Sequence, residues 1–549
     1  MNNSLLVLFA AILLHTPVSA TDDYQRNWNV DVMHYRFHLE LRDDTDSIDG
    51  ETDITVRFVT DGISEFSLDL IGRDPGAETG MEISDVSHNG EPVRFSHAED
   101  RITISMASPS SVEERRIFTV SYKGIPADGL IIAENMFGDR TFFGDNWPNR
   151  ARHWLPTVDH VSDKATVEWI VIAPSHYQVV GTGRLIERTS LSTGYQQTHW
   201  GSSIPIPPKV MVIGAARFAV QYVGTVSSVP VQSWVYPQNR DEGFYDYAIA
   251  EKVLRFFDGH IGPFPYEKLA NVQSKTRYGG MENASNIFYS ERSVSGNRAS
   301  EGLIAHEVAH QWFGNSVTEK DWHHIWLSEG FATYFTQLYN EFTQGHDAIE
   351  NGMRGARNTI IAFYAQNSEL ALIAEQLSDP NRMLNRNAYQ KGAWVLHMLR
   401  RQIGDEAFWA GIREYYRQYR DTNALTEDFQ RIMEKASTQN LQQFFQQWAY
   451  VPGHPILEGT WRYDTNAGQI NITIHQTQPS GNTFMFPLDI GISVSAEVPT
   501  RVETLQMSSA VETFTIPVDS EPNTVTLDPD TWLLFEGELS QQQGDVSQR

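Results

Sequence analysis

The sequence HEVAHQWFGN, residues 306–315, places two histidines four positions apart, with a glutamate directly after the first. At about 3.6 residues per helical turn, His306 and His310 project side by side and can reach one cation at about 2.0–2.1 Å. Glu307 is turned by about 100° from His306, so it is placed to hold a metal-bound water and to take its proton. Two core histidines on one helix would give the same pattern, and a zinc site needs a third protein ligand.

The stretch WLSEGFATYFTQLYNEF, residues 326–342, offers a candidate for that ligand. Its apolar residues recur at helical spacing, which predicts a second helix that ends near Gly345 and carries Glu329 in its first turn. The stripe consists of Phe331, Phe335, Leu338 and Phe342. A glutamate in a first turn also complements the helix dipole, but the two histidines upstream favour a zinc ligand.

The segment RYGGMENASNIFY, residues 277–289, follows a predicted strand, LANVQ, and precedes the predicted zinc helix. Gly279 and Gly280 would let another backbone come close. Glu282 is a carboxylate just before that helix, where it could bind the positive amino terminus of a substrate. The alternative is a glycine turn with a solvated glutamate, which this segment alone would favour.

The segment AYQKGAWVLHMLR, residues 388–400, has a helical apolar pattern, and Tyr389 stands at its start. A phenol near the metal could donate a hydrogen bond to the oxyanion of a tetrahedral intermediate. The alternative is a core side chain, the commoner place for any one of the 21 tyrosines in this chain.

The composition limits the class of protein. The chain has 549 residues, of which 40% are hydrophobic, so it can form several cores and we expect three domains. Its formal net charge of −27 disfavours binding to nucleic acid or to an anionic membrane. It contains no cysteine, which excludes disulfides, thiolate metal ligands and a cysteine nucleophile. Any metal must therefore be held by histidines and carboxylates.

The first twenty residues, MNNSLLVLFAAILLHTPVSA, have an apolar run from Leu5 to Leu14 followed by small residues. This pattern predicts a secretory signal peptide, residues 1–20, that is too short to span a bilayer. The segment has no lysine or arginine, so a retained membrane anchor is the alternative. We expect an exported protein, periplasmic or secreted, with no transmembrane segment in the mature chain.

The period of the apolar residues changes along the chain. Residues 21–218 alternate with a period of two, which predicts a β-rich N-terminal domain. Residues 219–450 follow a mainly helical period and contain the motifs above, and residues 451–540 return to strands. The polar residues 541–549 are predicted to be disordered. The predicted fold class is therefore multidomain α+β.

Four short motifs stand in a fixed order: GGMEN at 279–283, HEVAH at 306–310, WLSEG at 326–330 and YQKG at 389–392. In order and spacing they resemble the aminopeptidase N family of zinc metallopeptidases, which also contains the leukotriene hydrolases. The resemblance implies a saddle-like β N-terminal domain, a thermolysin-like catalytic domain and a small C-terminal β-sandwich. The chain ends after the predicted sandwich, so we expect a short form without the large helical C-terminal domain of many members.

The resemblance also implies a role for each motif residue. One Zn²⁺ per chain would be bound by His306, His310 and Glu329. Glu307 would be the general base and proton shuttle, and Tyr389 would stabilise the oxyanion. The residues implied to bind the peptide substrate, with Glu282 holding its free α-amine, are Gly279, Gly280, Met281, Glu282 and Asn283.

The sequence departs from the family pattern at one place. Many members carry Gln or Glu shortly before an R-x-x-x-P stretch, where it helps to hold the amine and the first side chain. Alignment on RHWLP, residues 152–156, puts Trp147 at this position, with Asp145 two residues earlier. Either Asp145 substitutes, or amine binding rests on Glu282 and Glu329. An aromatic side chain here could narrow the first pocket or stack on an apolar residue.

Together these patterns predict a zinc-dependent aminopeptidase that hydrolyses N-terminal residues from peptides. One alternative is a zinc hydrolase of another substrate, acting on an epoxide or as an endopeptidase. A second is a non-catalytic binding protein on a peptidase scaffold. The sequence makes no prediction of the oligomeric state.

Overall fold

The computed structural model describes residues 22–192, 194–495 and 497–542, which pass from strands to helices and back to strands. The fold class predicted from the sequence is confirmed. The predicted signal peptide lies outside the described residues, as do residues 543–549 of the predicted tail.

The N-terminal region consists of strands joined into three sheets. Its strands are β1 (Val30–Glu40), β2 (Ile48–Phe58), β3 (Glu65–Asp69), β4 (Gly80–His88), β5 (Glu91–Pro92), β6 (Arg94–Ala98), β7 (Arg101–Ser105), β8 (Arg115–Ile125), β9 (Leu130–Glu134), β10 (Arg140–Gly144), β11 (Ala165–Pro174), β12 (Gln178–Gly181), β13 (Arg184–Ser190), β14 (Tyr195–Ile206) and β15 (Ile213–Ala216). The largest sheet has the order β13-β14-β11-β1-β2-β8-β4-β5. A second has the order β12-β15-β10-β9, and a third the order β3-β7-β6.

Strand β1 shows how the period-two pattern leads to this architecture. Tyr35, Phe37 and Leu39 are buried, whereas the residues between them are only half-buried. One face of the strand therefore packs into the core. Strand β1 pairs antiparallel with β2 and parallel with β11, so it lies in the interior of the sheet.

The middle region contains a five-stranded sheet and most of the helices. Its strands are β16 (Ala219–Val226), β17 (Val229–Val235), β18 (Leu269–Ser274), β19 (Gly280–Met281), β20 (Asn286–Ser290), β21 (Thr318–Glu319) and β22 (Asn423–Ala424). The sheet order is β16-β17-β18-β20-β19, in which β17, β18 and β20 run parallel. Strand β18 is the predicted LANVQ strand, and all its residues are buried, as expected for a central parallel strand.

The α-helices of the described residues all lie in this region. They are α1 (Arg240–Tyr247), α2 (Ala250–His260), α3 (Glu301–Ala309), α4 (Trp326–Gln344), α5 (His346–Tyr364), α6 (Pro380–Met383), α7 (Gly392–Ile403), α8 (Asp405–Tyr419), α9 (Thr426–Ser437) and α10 (Gln442–Phe445), with π-helical turns at Asn387–Lys391 and Gln446–Tyr450. Among the described residues, no helix combines the length and apolar character needed to cross a membrane.

The C-terminal region forms two small sheets with a shared core. Its strands are β23 (Ile456–Asp464), β24 (Gln469–Gln476), β25 (Phe486–Ser493), β26 (Arg501–Met507), β27 (Val511–Pro517), β28 (Thr524–Leu527) and β29 (Glu536–Gln541). The sheet orders are β27-β24-β23-β29 and β26-β25-β28. Arg357 of α5 donates to the carboxylate of Asp528 and to the carbonyl oxygen of Leu533, which attaches this region to the helices.

A buried ion pair joins the end of the N-terminal region to β21, the strand that follows α3. Nζ of Lys209 lies 2.6 Å from Oε1 of Glu319, and both side chains are buried. Burial raises the pKa of Glu319, and the ammonium of Lys209 opposes that shift. The pair is enclosed, so each charge depends on the other for its stabilisation.

Glu319→Ala is expected to destabilise the protein by about 3–5 kcal/mol, because the Lys209 ammonium would remain buried without a partner. The shift of the urea midpoint measures this loss. Glu414→Ala, which removes the partner of the exposed Arg417, should cost at most about 1 kcal/mol. Equal shifts in the two variants would contradict a structural role for the buried pair.

Candidate active site

Helix α3 carries the two histidines predicted as zinc ligands. It begins after Ser300 and ends at Ala309, so His306 lies in its last turn and His310 directly follows it. The Nε2 atoms of the two histidines are 3.1 Å apart. Helix α4 brings Glu329 to the same place from its first turn, with Oε2 at 3.4 Å from His306 Nε2 and 3.3 Å from His310 Nε2.

The three donor atoms fit a tetrahedral zinc site. Ligands about 2.0–2.1 Å from a zinc ion lie about 3.3–3.4 Å from one another in a tetrahedron. The three separations here are 3.1, 3.3 and 3.4 Å. Oε2 of Glu329 is also buried without a hydrogen-bond donor among the described groups, as a metal ligand would be. Two imidazoles and one carboxylate leave a fourth position open, which is typical of catalytic zinc sites.

Neighbouring groups fix which nitrogen of His310 faces the other two donors. Nδ1 lies 3.1 Å from the carbonyl oxygen of Phe313 and 3.1 Å from Oγ of Ser328. A carbonyl only accepts, so Nδ1 carries the proton and the lone pair of Nε2 points toward His306 and Glu329. Sequence reasoning missed Ser328, although it directly precedes the predicted ligand in WLSEG.

Burial and charge act in opposite directions on the pKa values of this site. Burial lowers the pKa of His310, the carboxylates of Glu329 and Glu282 raise it, and the result is about 10. Burial opposes ionisation of Glu329, yet the charge on His310 and the close contact with both histidines hold its pKa well below the usual range. Burial raises the pKa of Glu307 well above the usual range. The site therefore favours positive charge at the donor cluster, which is formed by His306, His310 and Glu329. It also makes Glu307 a stronger proton acceptor.

Glu307 lies on α3 close to the loop that carries Glu282. One oxygen of each carboxylate and one ring nitrogen of His310 all lie within 4.8 Å of one another. Gly280 passes directly against Glu307, since a Cβ at this glycine would lie 2.6 Å from Cγ and Cδ of the glutamate. The missing side chain therefore allows the substrate loop to approach the predicted base.

Gly280→Ala is expected to lower kcat/KM by about 10²-fold, because a misplacement of about 1 Å in a catalytic group costs that much. The ligands are untouched, so metal analysis should still find one zinc per chain. Gly279→Ala is the matched control, because the nearest atoms to its Cβ lie 3.9 Å away in Leu303. Similar losses of kcat/KM in both variants would show that the loss does not arise from displacement of Glu307.

Two polar residues in HEVAHQWFGN tie the Glu282 loop to α3. Nε2 of Gln311 and Nδ2 of Asn315 donate to the carbonyl oxygen of Glu282 at 2.9 and 2.6 Å. Oε1 of Gln311 accepts from the backbone N–H of Ser285 at 2.9 Å. Sequence reasoning missed both residues, and their position directly after the histidine pair was the available signal. They hold the amine-binding candidate at a fixed place beside the zinc helix.

Tyr389 lies in the π-helical turn that precedes α7. Its ring lies over that of His306, with centroids 6.0 Å apart and 16° between the ring planes. Burial, with the carboxylates of Glu329 and Glu282, raises the pKa of the phenol well above its usual value. The hydroxyl therefore keeps its proton and remains a hydrogen-bond donor.

A close backbone contact fixes Tyr389 relative to Glu329. Gly330 of α4 and Gly392 of α7 face each other, and a Cβ on either would lie 2.8 Å from the Cα of the other. Non-bonded carbon atoms prefer about 3.5–4.0 Å, so this approach requires glycine on both helices. Since Gly330 directly follows Glu329 and Gly392 lies three residues after Tyr389, the contact positions both candidate side chains.

The donor cluster faces a cavity of about 450 Å³. The predicted site residues that line it are Gly279, Gly280, Met281, Glu282, His306, Glu307, His310, Glu329 and Tyr389, and Trp147 lines it as well. The lining residues that sequence reasoning did not identify are Tyr278, Gly302, Leu303, Thr333, Thr336, Gln337, Leu384 and Gln390. Gln390 lies in the YQKG motif and Tyr278 directly before GGMEN, whereas the other six lie outside the four motifs and join the cavity only in the folded chain.

Two candidates do not line the cavity. Asn283 is fully buried, and its side-chain amide has no partner among the described groups, so its position does not support direct contact with a substrate. Asp145 accepts from Nη2 of Arg150 at 2.8 Å and from the backbone N–H of Arg277 at 3.0 Å. Its carboxylate is occupied, so Asp145 is not available to hold a substrate amine. This favours the alternative in which amine binding rests on Glu282 and Glu329.

Two family models match this sequence. Residues 32–208 match the Peptidase M1 N-terminal domain, and residues 245–448 match the Peptidase family M1 domain. Together the two matches cover more than half of the chain. The chain belongs to peptidase family M1. The resemblance drawn from the four motifs is confirmed, and membership of family M1 implies a zinc cofactor, which the donor set fits.

Curated relatives in family M1 are named aminopeptidases. Glutamyl aminopeptidase of Sus scrofa is 26% identical over 337 residues, which are 57% of this chain and 35% of the relative. Probable aminopeptidase 2 of Sulfurisphaera tokodaii is 23% identical over 498 residues, which are 84% of this chain and 61% of the relative. The matched part therefore spans about a third of the glutamyl aminopeptidase and less than two thirds of the archaeal protein.

Solved M1 structures share the fold. The M1 zinc metallopeptidase from Deinococcus radiodurans superposes with a TM-score of 0.65 at 24% identity, covering 77% of this chain and 94% of that protein. A crystal structure of a point mutant of the same metallopeptidase gives the same TM-score at 22% identity. The arrangement of strands and helices around the site is thus the one found in family M1.

Proposed function

We propose that this chain is a zinc-dependent aminopeptidase that removes single residues from the N-terminus of peptides. The observation that carries the proposal is the cluster of three metal donors facing one cavity. The wall of that cavity also holds a base, Glu307, a phenol, Tyr389, and a carboxylate suited to an amine, Glu282. The names of the curated relatives support the same activity.

Each side chain of the site has a separate role in peptide hydrolysis. When bound by its three ligands, zinc supplies a Lewis acid that polarises the scissile carbonyl. Glu307 accepts a proton from the attacking water and delivers it to the leaving amine. Tyr389 donates a hydrogen bond to the oxyanion that develops on the carbonyl oxygen.

Glu282 would determine where the peptide is cut. Its Oε1 is buried without a hydrogen-bond partner among the described groups, so it can accept from the α-ammonium of a substrate. Gln311 and Asn315 hold its backbone beside α3. An ammonium bound there would place the first peptide bond at the donor cluster, so one residue would leave per cycle.

The test is hydrolysis of a panel of aminoacyl arylamides, with and without a zinc chelator. Turnover that the chelator abolishes and added zinc restores would support the proposal. Protein that holds zinc but cleaves no arylamide would contradict it and favour a zinc hydrolase of another substrate, such as an epoxide. Protein that binds no stoichiometric zinc would favour the non-catalytic binding protein.

Glu282→Ala is expected to lower kcat/KM for free-amine substrates by about 10²-fold or more, because the substrate ammonium would lose a buried charged partner. Zinc content should stay unchanged, which metal analysis checks. An N-acetylated peptide should resist the unmodified enzyme, since it has no ammonium to bind. Cleavage of the acetylated peptide at the same rate would indicate an endopeptidase instead.

We also propose that the protein is exported. The support is the apolar run of residues 5–14 and the small residues that follow it. N-terminal sequencing after cell fractionation tests this. A chain that starts at residue 1 in the cytoplasmic fraction would contradict it.

A further inference from the structure

The walls of the cavity contain a group of apolar side chains that the catalytic steps do not use. This group consists of Trp147, Tyr278, Met281, Leu303 and Leu384. Trp147 is 2% exposed, and its ring meets Tyr278 edge to face, with centroids 5.9 Å apart and 86° between the planes. It meets Trp322 in the same way at 5.6 Å and 80°. The indole is therefore held in one orientation by aromatic contacts on two sides.

No lysine or arginine lines the cavity in the part of the chain that the structure describes. Arg150 lies close to this wall, with its guanidinium 5.8 Å from the ring centroid of Tyr278. It donates to the carboxylate of Asp145 at 2.8 Å, and Arg277 donates to that of Asp128 at 3.0 Å. Both guanidinium groups are thus paired with aspartates, and neither lines the cavity.

The carboxylates of the cavity are also committed. Glu329 is a donor in the cluster, Glu282 would bind the substrate ammonium, and Glu307 would accept and release the proton that moves during hydrolysis. The remaining nearby carboxylate, Asp145, is occupied by Arg150 and by a backbone N–H. A positively charged first side chain would therefore find no partner of its own.

From these observations we infer that the cavity selects peptides whose first side chain is uncharged and apolar, and that it rejects an acidic one. The inference rests on the proposed aminopeptidase function and concerns the same cavity. An apolar side chain would cover the half-buried side chains of Tyr278, Leu303 and Leu384 and remove them from water, while Trp147 packs against Tyr278. A glutamate side chain would lose its hydration beside Glu282 and Glu307 without gaining a cation. The preference therefore differs from the one in the name of the glutamyl aminopeptidases that this chain matches.

The first experiment compares kcat/KM for leucyl, methionyl, phenylalanyl, lysyl, glutamyl and aspartyl arylamides on the zinc-loaded protein. Leucyl or another apolar substrate is expected to exceed the glutamyl substrate by about 100-fold or more, because burial of an unpaired ion costs several kcal/mol. It should exceed the lysyl substrate by about 10-fold or more, since the long lysine stem can still cover apolar surface. A glutamyl substrate within 10-fold of leucyl would overturn the inference while leaving the aminopeptidase function intact.

A second experiment places a cation in the wall. Leu303 lies on α3, is half-buried and approaches Gly279. A longer side chain can therefore replace it without disrupting the core. Leu303→Arg is expected to raise the ratio of glutamyl to leucyl turnover by about 10-fold or more. Leu303→Met, which changes shape but not charge, should leave that ratio unchanged. An unchanged ratio in Leu303→Arg, or an equal change in both variants, would overturn the inference.

A binding measurement separates this inference from the proposed function. Calorimetric titration of the Glu307→Gln variant with Leu-Gly and Glu-Gly measures binding affinity, and this measurement does not depend on turnover. Tighter binding of Leu-Gly by about 10-fold or more would support the selectivity even if no arylamide were cleaved. Equal affinities, or tighter binding of Glu-Gly, would overturn it whatever the panel of substrates shows.

Discussion

Glu307→Gln is expected to lower kcat/KM by about 10²–10⁴-fold, the range that general acid–base catalysis contributes. The amide keeps the size of the side chain but cannot take a proton from the attacking water. Zinc content should remain at one per chain, because Glu307 is not among the three donors. Steady-state hydrolysis of an apolar aminoacyl arylamide, together with metal analysis of the same sample, measures both quantities.

The matched control is Glu301→Gln on the same helix. The Glu301 carboxylate accepts from the hydroxyl of Tyr339 at 2.8 Å and does not line the cavity. A glutamine oxygen can still accept that hydrogen bond, so activity should be unchanged. A Glu307 variant that loses zinc in proportion to activity would instead assign this residue to metal binding.

Tyr389→Phe is expected to lower kcat and kcat/KM together by about 10²–10³-fold, because the hydroxyl would bond an oxygen that carries charge only in the transition state. The ring would still lie over His306, so the donor cluster should keep its geometry and its zinc. Initial rates over a range of substrate concentrations separate kcat from KM.

Tyr450→Phe provides the comparison for the loss of one phenol. The hydroxyl of Tyr450 donates to Glu427 and does not line the catalytic cavity. Its removal should leave kcat within about twofold, as expected for a residue that contacts no reacting atom. A Tyr389→Phe variant that raises KM and keeps kcat would show that the hydroxyl binds the ground state rather than the oxyanion.

The helices that hold the donor cluster could be predicted because their signals are local. The spacing of His306 and His310 and the apolar stripe after Glu329 each involve residues one or two turns apart. Helix α4 ends at Gln344, before Gly345 with a φ of 95°, which is where the sequence predicted its end. A glycine adopts this left-handed backbone without the strain that a side chain would cause. The same local argument holds for the LANVQ strand, which is β18.

The wall of the cavity could not be predicted, because it depends on residues that are distant in the chain. Asp145 is occupied by the backbone N–H of Arg277, 132 positions later, so its availability could be judged only after folding. Trp147 meets Tyr278 across a similar separation. The sequence indicated an unusual residue at Trp147, but only the packing shows that the indole forms an apolar wall.

The glycine pair at Gly330 and Gly392 limits how this site can change during evolution. Each glycine occupies the space that a side chain on the other would need, so neither can mutate alone without separating two helices. The predicted metal ligand Glu329 and the phenol of Tyr389 are attached to opposite sides of this contact. A change in the spacing between this carboxylate and this phenol would therefore require both helices to move together.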